Sequence, residues 1–227
     1  MRVGLIAFKP LLVIPVYNGR DSLLRLTRTL NDITDIPILV VDDGSTDGLT
    51  ALDIPHLEYL RHDRNRGKGA ALKTGLQYGY SSGFSHAITL DADGQHDPAL
   101  IPEFLKLAES HTPSMVIGTR DLMSVDMPLH RILSNNITSM VLSLRVGKRV
   151  LDSQVGYRCY PLMDSRLWIS NEPGFQFESA VFFNASKLKI PFEWISIPVI
   201  YGAEESHMHL FLDTVRFVRT FMRSFKW

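Results

Sequence analysis

The chain has 227 residues, 45% of them hydrophobic, and its 24 basic and 24 acidic side chains cancel. A chain of this size buries roughly 70 to 75 per cent of its unfolded surface, enough for one large α/β domain without accessory staples, and its charge balance gives no global attraction to nucleic acid or another polyanion. The single cysteine, Cys159, excludes an intrachain disulfide and a cysteine zinc cluster and fits a reducing cytosol. The run Val3 to Phe8 is too short for a signal-peptide core, and no apolar stretch reaches the ~18 residues that read as a membrane span. The expectation is a cytoplasmic chain, at most peripheral on the inner face of the cytoplasmic membrane.

In chain order, Leu11 to Val16 is a buried-type strand, Tyr17-Asn18-Gly19 breaks it, and Leu23, Leu26 and Leu30 recur at helical spacing. Pro37 to Val41 predicts a second strand ending in Asp42-Asp43-Gly44-Ser45-Thr46-Asp47, and Leu57 to Leu60 a short third one. Gly67-Lys68-Gly69 opens a helix with Ala70, Ala71, Leu72 and Leu76 inward, and a fourth strand runs from Ala87 to Leu90. Further on come a helix over Leu100 to Ala108, a strand at Met115 to Gly118, a helix from His130 to Leu144, a polar stretch Asp152 to Arg158, a helix from Phe177, a strand from Trp194 to Tyr201 and a closing helix from about Met208. Alternating strands and helices predict a mostly parallel sheet flanked by helices in a single domain, with ligands at the carboxyl ends of the strands. Every polar cluster of the first half falls at such an end: Tyr17-Asn18, Asp42 to Asp47, and Asp91-Asp93.

The last of these is the centre of the pattern. Ala87-Ile88-Thr89-Leu90 runs into Asp91-Ala92-Asp93-Gly94-Gln95-His96-Asp97-Pro98. On a strand, residues two apart share a face, so Asp91 and Asp93 would offer two hard oxygen ligands suited to Mg²⁺ or Mn²⁺. Asp97 precedes a proline that can open a helix and reads as its cap.

Four segments, Val13-Ile14-Pro15-Val16-Tyr17-Asn18, Val41-Asp42-Asp43-Gly44-Ser45-Thr46-Asp47, Asn65-Arg66-Gly67-Lys68-Gly69-Ala70-Ala71 and Asp91-Ala92-Asp93-Gly94-Gln95, resemble in order and spacing those of glycosyltransferase family 2. The resemblance implies an inverting, metal-dependent enzyme with a GT-A fold that uses a nucleotide diphosphate sugar, UDP- or GDP-linked. Asp152-Ser153-Gln154-Val155-Gly156-Tyr157-Arg158 resembles a pattern of the dolichyl- and polyprenyl-phosphate sugar transferases. Tyr160-Pro161-Leu162, Pro198 to Tyr201 and Ser206-His207 resemble small bacterial members found with aryl polyene lipid synthesis. The implied acceptor is a lipid or polyprenyl phosphate. The implied division is a nucleotide-sugar half over about 10–118 and an acceptor half over about 119–227.

The resemblance further implies that Pro15, Tyr17, Asn18 and Asp42 line the nucleotide pocket. Asp42 would hydrogen-bond the base, for which a carboxylate acceptor is suited, and Asp43 could equally be the contact. Lys68 stands at a helix start, where backbone N–H groups already favour anions. Gln95 is placed to reach the ion or the sugar, and His207 to complete the metal site, with His209 competing. For a hydroxyl acceptor, Glu178 sits where the family carries an acidic residue and is the candidate general base, with Asp152 its rival. For a phosphate acceptor no base is required, and Arg120, Arg131 and Arg158 match arginines that the polyprenyl-phosphate branch uses; Arg131 could instead be a helix-surface ion-pair partner.

Other classes fit less well. Gly67-Lys68-Gly69 lacks the spacing of a phosphate-binding nucleotide loop, with Gly69 where Ser or Thr is required. Asp91-Ala92-Asp93-Gly94 is similar to the nucleophile motif of haloacid-dehalogenase phosphatases, but that motif belongs on a first strand and three precede it here. A non-catalytic module that binds sugar nucleotides is the third reading. Finally, Phe211, Val215, Val218, Met222 and Phe225 form one helical stripe opposite Arg216, Arg219, Arg223 and Lys226, a basic amphipathic helix suited either to closing the core or to a membrane surface.

Overall fold

In the computed structural model, described for residues 7–50, 56–120, 129–170, 172, 174, 176–198 and 221–222, and for the backbone alone at 129–131, the apolar runs become strands of one sheet. The strands are β1 (Pro10–Val16), β2 (Ile38–Asp42), β3 (Leu57–Arg61), β4 (His86–Thr89), β5 (Met115–Arg120), β6 (Arg158–Pro161) and β7 (Phe192–Ile197). The helices are α1 (Arg20–Ile33), α2 (Lys68–Ser81), α3 (Ile101–Ser110), α4 (Leu129–Val146) and α5 (Gln176–Lys187). The sheet order is β3-β2-β1-β4-β6-β5-β7. The β1 side chains Leu11 to Ile14 and their β2 neighbours Leu39 to Val41 are all buried, as befits parallel strands covered on both faces.

All pairings are parallel except those of β6, which runs antiparallel to β4 on one side and β5 on the other. The sequence reading did not foresee β6, because Arg158-Cys159-Tyr160-Pro161 carries an arginine and a proline and is too short to show periodicity. Its reversal has a consequence for the site. Thr89, the last residue of β4, pairs with Arg158, the first of β6, so the loop Asp152–Tyr157 arrives at the carboxyl end of β4. The Thr89 hydroxyl donates to the Gly156 carbonyl at 2.7 Å and ties the two together. Cys159 is an interior side chain of β6, and burial pushes its thiol pKa up.

The strand carrying the acidic motif stops at Thr89, so Asp91 and Asp93 lie in a turn rather than on one strand face. The final strand is shifted towards the N-terminus, ending at Ile197 before Pro198, whose missing N–H cannot continue a ladder. The closing helix lies outside the described residues except for Phe221 and Met222, which are helical; the Phe221 ring sits 6.4 Å from that of Phe183 on α5.

Two glycines decide how closely α2 lies on the sheet. A Cβ at Gly75 would stand 2.3 Å from Val13 Cγ1, and one at Gly79 would meet Leu162 Cδ1 at 2.8 Å. Val13 is β-branched and fixed in an interior strand, so it cannot yield, whereas Leu162 offers the far end of a flexible side chain. Gly75→Ala should therefore destabilise the protein by about 1 to 2 kcal/mol, overpacking outweighing the gain of about 1 kcal/mol in helix propensity. Gly79→Ala should cost less. Chemical denaturation of both variants measures this, and a Gly75→Ala midpoint at or above wild type would refute the packing argument.

Candidate active site at the carboxyl edge of the sheet

The ends of β1, β2 and β4 and the start of α2 meet at one edge. Gly44 makes the turn after β2 possible: its φ is +78°, and a Cβ there would stand 2.5 Å from the Arg64 backbone. Asp43 fastens that backbone. Its Oδ1 accepts from Arg66 N–H at 3.0 Å and lies 2.6 Å from His62 Nδ1, and its Oδ2 accepts from Gly67 N–H at 2.6 Å. A carboxylate can only accept, so His62 carries its proton on Nδ1 while Nε2 faces the Thr74 hydroxyl at 2.9 Å.

Asp42 is fully buried and equally engaged. It accepts from Ser45 N–H at 2.8 Å and from Tyr59 Oη at 2.5 Å, with the Arg61 guanidinium 3.1 Å away. Burial alone would raise its pKa, but the hydrogen bonds from Ser45 and Tyr59 outweigh it and hold the carboxyl below its ordinary value. The Tyr59 hydroxyl, buried against that carboxylate, is pushed up to about 12. Of the residues expected to face a nucleotide, Tyr17 and Asn18 are the exposed ones, while Pro15 is buried in β1. Asn18 accepts from Thr46 N–H at 2.7 Å and so binds the first loop to the second.

Lys68, the first residue of α2, reaches across to two carboxylates. Its Nζ lies 2.8 Å from Asp91 Oδ1, 2.9 Å from Asp91 Oδ2 and 3.2 Å from Glu178 Oε1 on α5. The Glu178 contact is an ion pair without hydrogen-bond alignment, and Oε1 has no hydrogen-bond donor among the described residues. Burial lifts the Glu178 pKa, and Lys68 and Arg158 only partly offset this. For Asp91 the balance is reversed: burial raises it, but Lys68 and then His96 bring it below the carboxylate norm. Burial works against the Lys68 ammonium too, yet Asp91 and Glu178 together raise its pKa. Gly156 completes the cluster, since a Cβ there would stand 2.7 Å from Asp91 Oδ2 and 2.8 Å from Lys68 Nζ. A larger side chain there would have to displace the Asp91–Lys68 pair.

Asp93 Oδ1 accepts from Gln95 N–H at 2.9 Å, which closes the acidic turn. With Gly94, His96, Ser22 and Arg25 it lines a cavity of about 190 Å³ beside α1. Asp97 caps the following helical turn, accepting from Ala99 N–H at 2.9 Å as its place before Pro98 implies. Among the described residues no three His, Cys, Asp or Glu side chains form a group able to hold a metal ion; Asp91 and Asp93 supply two hard oxygen donors, which suits a divalent ion also held by diphosphate oxygens. His207 lies outside the described residues.

The acceptor-side candidates separate. Asp152 is fully buried and holds Arg120 bidentately, accepting from Nε at 2.7 Å and from Nη2 at 2.9 Å, and also from Gln154 N–H at 3.1 Å. Burial raises its pKa, the Arg120 hydrogen bonds and charge lower it by more, and the net direction is down. A carboxylate so held is a weak base, so Asp152 does not rival Glu178. Arg158 corrects the expectation of a phosphate ligand: it is fully buried, and its guanidinium donates to the carbonyls of Val155 (2.8 Å), Glu178 (2.9 Å) and Ser153 (2.9 Å) while lying over the Phe182 ring. It holds the site loop from beneath. Arg120 keeps a partly exposed side chain, and Arg131 is described by its backbone alone.

Sequence reading missed His96. It is buried, its Nδ1 accepts from Asp91 N–H at 3.1 Å, its ring lies 5.0 Å from that of Tyr157, and burial lowers its pKa to about 4. A neutral imidazole thus orients the backbone at the acidic turn. Its position five residues after Asp91 matched no spacing rule.

This sheet, with its acidic turn beyond β4, is a GT-A-type fold. It superimposes with a TM-score of 0.74 and 15% identity on glucosyl-3-phosphoglycerate synthase from Mycobacterium tuberculosis, crystallised with Mn²⁺, UDP-glucose and phosphoglyceric acid, over 96% of this chain and 80% of that one. The Glycosyl transferase family 2 profile matches residues 11–162, and the chain belongs to that family, which removes the phosphatase alternative. It is 31% identical over 160 residues to an undecaprenyl-phosphate mannosyltransferase of Micrococcus luteus, covering 66% of this chain and 65% of that protein. It is 29% identical over 163 residues to polyprenol monophosphomannose synthase of Mycolicibacterium smegmatis, covering 67% and 61%. It is 30% identical over 171 residues to a UDP-N-acetylglucosamine–dolichyl-phosphate N-acetylglucosaminyltransferase of Methanococcus voltae, covering 66% and 68%.

Arg120→Ala leaves the Asp152 carboxylate buried without its partner and should cost about 3 kcal/mol of stability at neutral pH. Denaturant unfolding measures this. A loss below about 1 kcal/mol would show the pair to be dispensable.

Proposed function

We propose that this protein is an inverting glycosyltransferase that moves a sugar from a nucleotide diphosphate sugar to a polyprenyl-phosphate or similar lipid acceptor. The observation that carries the reading is the convergence of Asp91, Lys68 and Glu178 beside the loops after β1 and β2, in a chain of this family. The three relatives named above carry sugar–polyprenyl-phosphate activities in their names, which supports the acceptor class. Residues 10–118 form the donor half in this reading and 119–227 the acceptor half.

The chain's own groups have distinct tasks. Tyr17 and Asn18 offer contact to the nucleoside, over a floor held in shape by Asp42 and Asp43. Asp91 and Asp93, with Gln95 and His207 as further candidate ligands in this reading, would hold Mg²⁺ or Mn²⁺, which when bound neutralises diphosphate charge and improves the leaving group. Lys68 balances the carboxylates and keeps a positive charge where the diphosphate leaves. Arg120 and Arg131 meet the acceptor phosphate. In this reading the lipid acceptor is reached from a membrane surface; no helix among the described residues is long and apolar enough to cross a membrane.

Asp93→Ala should lower kcat by at least about a hundredfold while thermal unfolding stays close to wild type, and Asp97→Ala should leave kcat intact. Full transfer by Asp93→Ala, or by wild type in excess EDTA, refutes the metal assignment. Thermal-shift panels of UDP, GDP and their sugars with and without Mn²⁺ identify the donor.

Glu178→Gln separates the acceptor classes. With a phosphate acceptor, already anionic, the loss of transfer should be slight. With a hydroxyl acceptor transfer should vanish, and the wild-type acid limb of kcat/KM should lie above the ordinary glutamate value of 4.5, since the pKa of Glu178 is raised and the base works only above it. Loss of donor binding in Glu178→Gln would contradict both.

A further inference from the structure

Helix α4 is built inside out. Its buried face carries Asn135 and Ser139, together with Leu142 and Val146, whereas Leu133, Ile137, Met140 and Leu144 are 61%, 49%, 59% and 79% exposed. At about 100° per residue these four fall within an arc of roughly 60°, nearly opposite the buried face. The polar inward face has a structural task. Ser139 Oγ accepts from Ser153 N–H at 3.0 Å, and the Ser153 hydroxyl donates to Asn135 Oδ1 at 3.2 Å. These bonds hold the loop Asp152–Gly156, which borders Asp91 and Lys68. The outward apolar stripe has no such internal reason.

We propose that this stripe of α4 docks the protein on an anionic lipid surface. From Leu129 to Leu151 the sequence contains Arg131, Arg145, Lys148 and Arg149 and no acidic residue. Lys148 and Arg149 are exposed at the end of the helix, and exposed Lys187 and Lys189 lie beside them, because the Ser186 hydroxyl donates to the Val146 carbonyl and Lys148 Nζ to the Ile190 carbonyl. An apolar stripe flanked by cations matches the acyl and headgroup layers of an anionic leaflet. A second copy fits less well. The four side chains offer on the order of 400 Å² each side, so that pairing buries about 800 Å², below the roughly 1,200 Å² of stable interfaces. The stripe is also shorter than the three to four heptads of a coiled coil. The inference deepens the lipid-acceptor reading and rests on it for its purpose: the helix that meets the membrane is the one that holds the acceptor-side loop.

The test is co-sedimentation of the full chain with phosphatidylcholine vesicles with and without phosphatidylglycerol. Wild type should pellet with the anionic vesicles at low salt. Leu133→Gln/Ile137→Gln/Met140→Gln/Leu144→Gln should bind at least tenfold more weakly with unchanged circular dichroism, and Lys148→Gln/Arg149→Gln should lose the preference for phosphatidylglycerol. Failure of wild type to pellet, equal binding by the fourfold variant, or a wild-type dimer that the fourfold variant converts to monomer would overturn the proposal. Stripe-dependent binding without sugar transfer to detergent-solubilised polyprenyl phosphate would uphold the docking surface and overturn only the acceptor reading.

Discussion

The site depends on one partly buried cation. Lys68 Nζ stands between Asp91 and Glu178, and the three residues come from the start of α2, the turn after β4 and the first turn of α5. Without the ammonium, two carboxylates would face each other in a poorly solvated space, and like charges there are costly. The lysine therefore fixes three elements relative to one another while leaving their charges at the edge where an anionic donor would bind. Gly156 is part of the same constraint, since anything larger would push the pair apart.

A second layer of polar groups keeps this edge in shape. Asp43 bonds two N–H groups of the loop into α2, Arg158 bonds three carbonyls under the site loop, and Asp152 holds Arg120 with both oxygens. Each is buried, and each has its hydrogen-bonding capacity matched by partners, which is the condition under which buried charge is tolerated. The motif residues thus divide into those that build the pocket and those that remain open to it. Asp42, Asp43, Asp152 and Arg158 belong to the first group. Tyr17, Asn18 and Asp93 belong to the second.

Helix α4 joins this layer to the surface. Its inward Asn135 and Ser139 hold the loop Asp152–Gly156, while Leu133, Ile137, Met140 and Leu144 face outward. A hydrophobic pattern with helical period identifies a helix but does not say which face is buried, since the period is the same for a core face and a surface face.

The primary structure already contained the parallel half of the sheet. β1, β2, β4 and α2 were legible because continuous apolar runs bounded by Gly, Asn and Asp clusters leave few alternatives, and the four ordered motifs pointed to the same edge and the same family. What it did not contain were the partners. Whether Asp42 faces a ligand or Tyr59, whether Arg158 meets a phosphate or backbone carbonyls, and whether Lys68 is solvated or locked between two acids depend on contacts such as Tyr59 to Asp42, Arg158 to Glu178 and Lys68 to Asp91, which are 17, 20 and 23 residues apart. The antiparallel β6, four residues long with an arginine at its start, gave no periodic signal, and neither did His96, which acts through its ring nitrogen on one backbone N–H. Local pattern fixes elements because it acts through the chain's own geometry. Ion pairs, buried hydrogen bonds and the choice of exposed face are settled by whatever folding brings alongside.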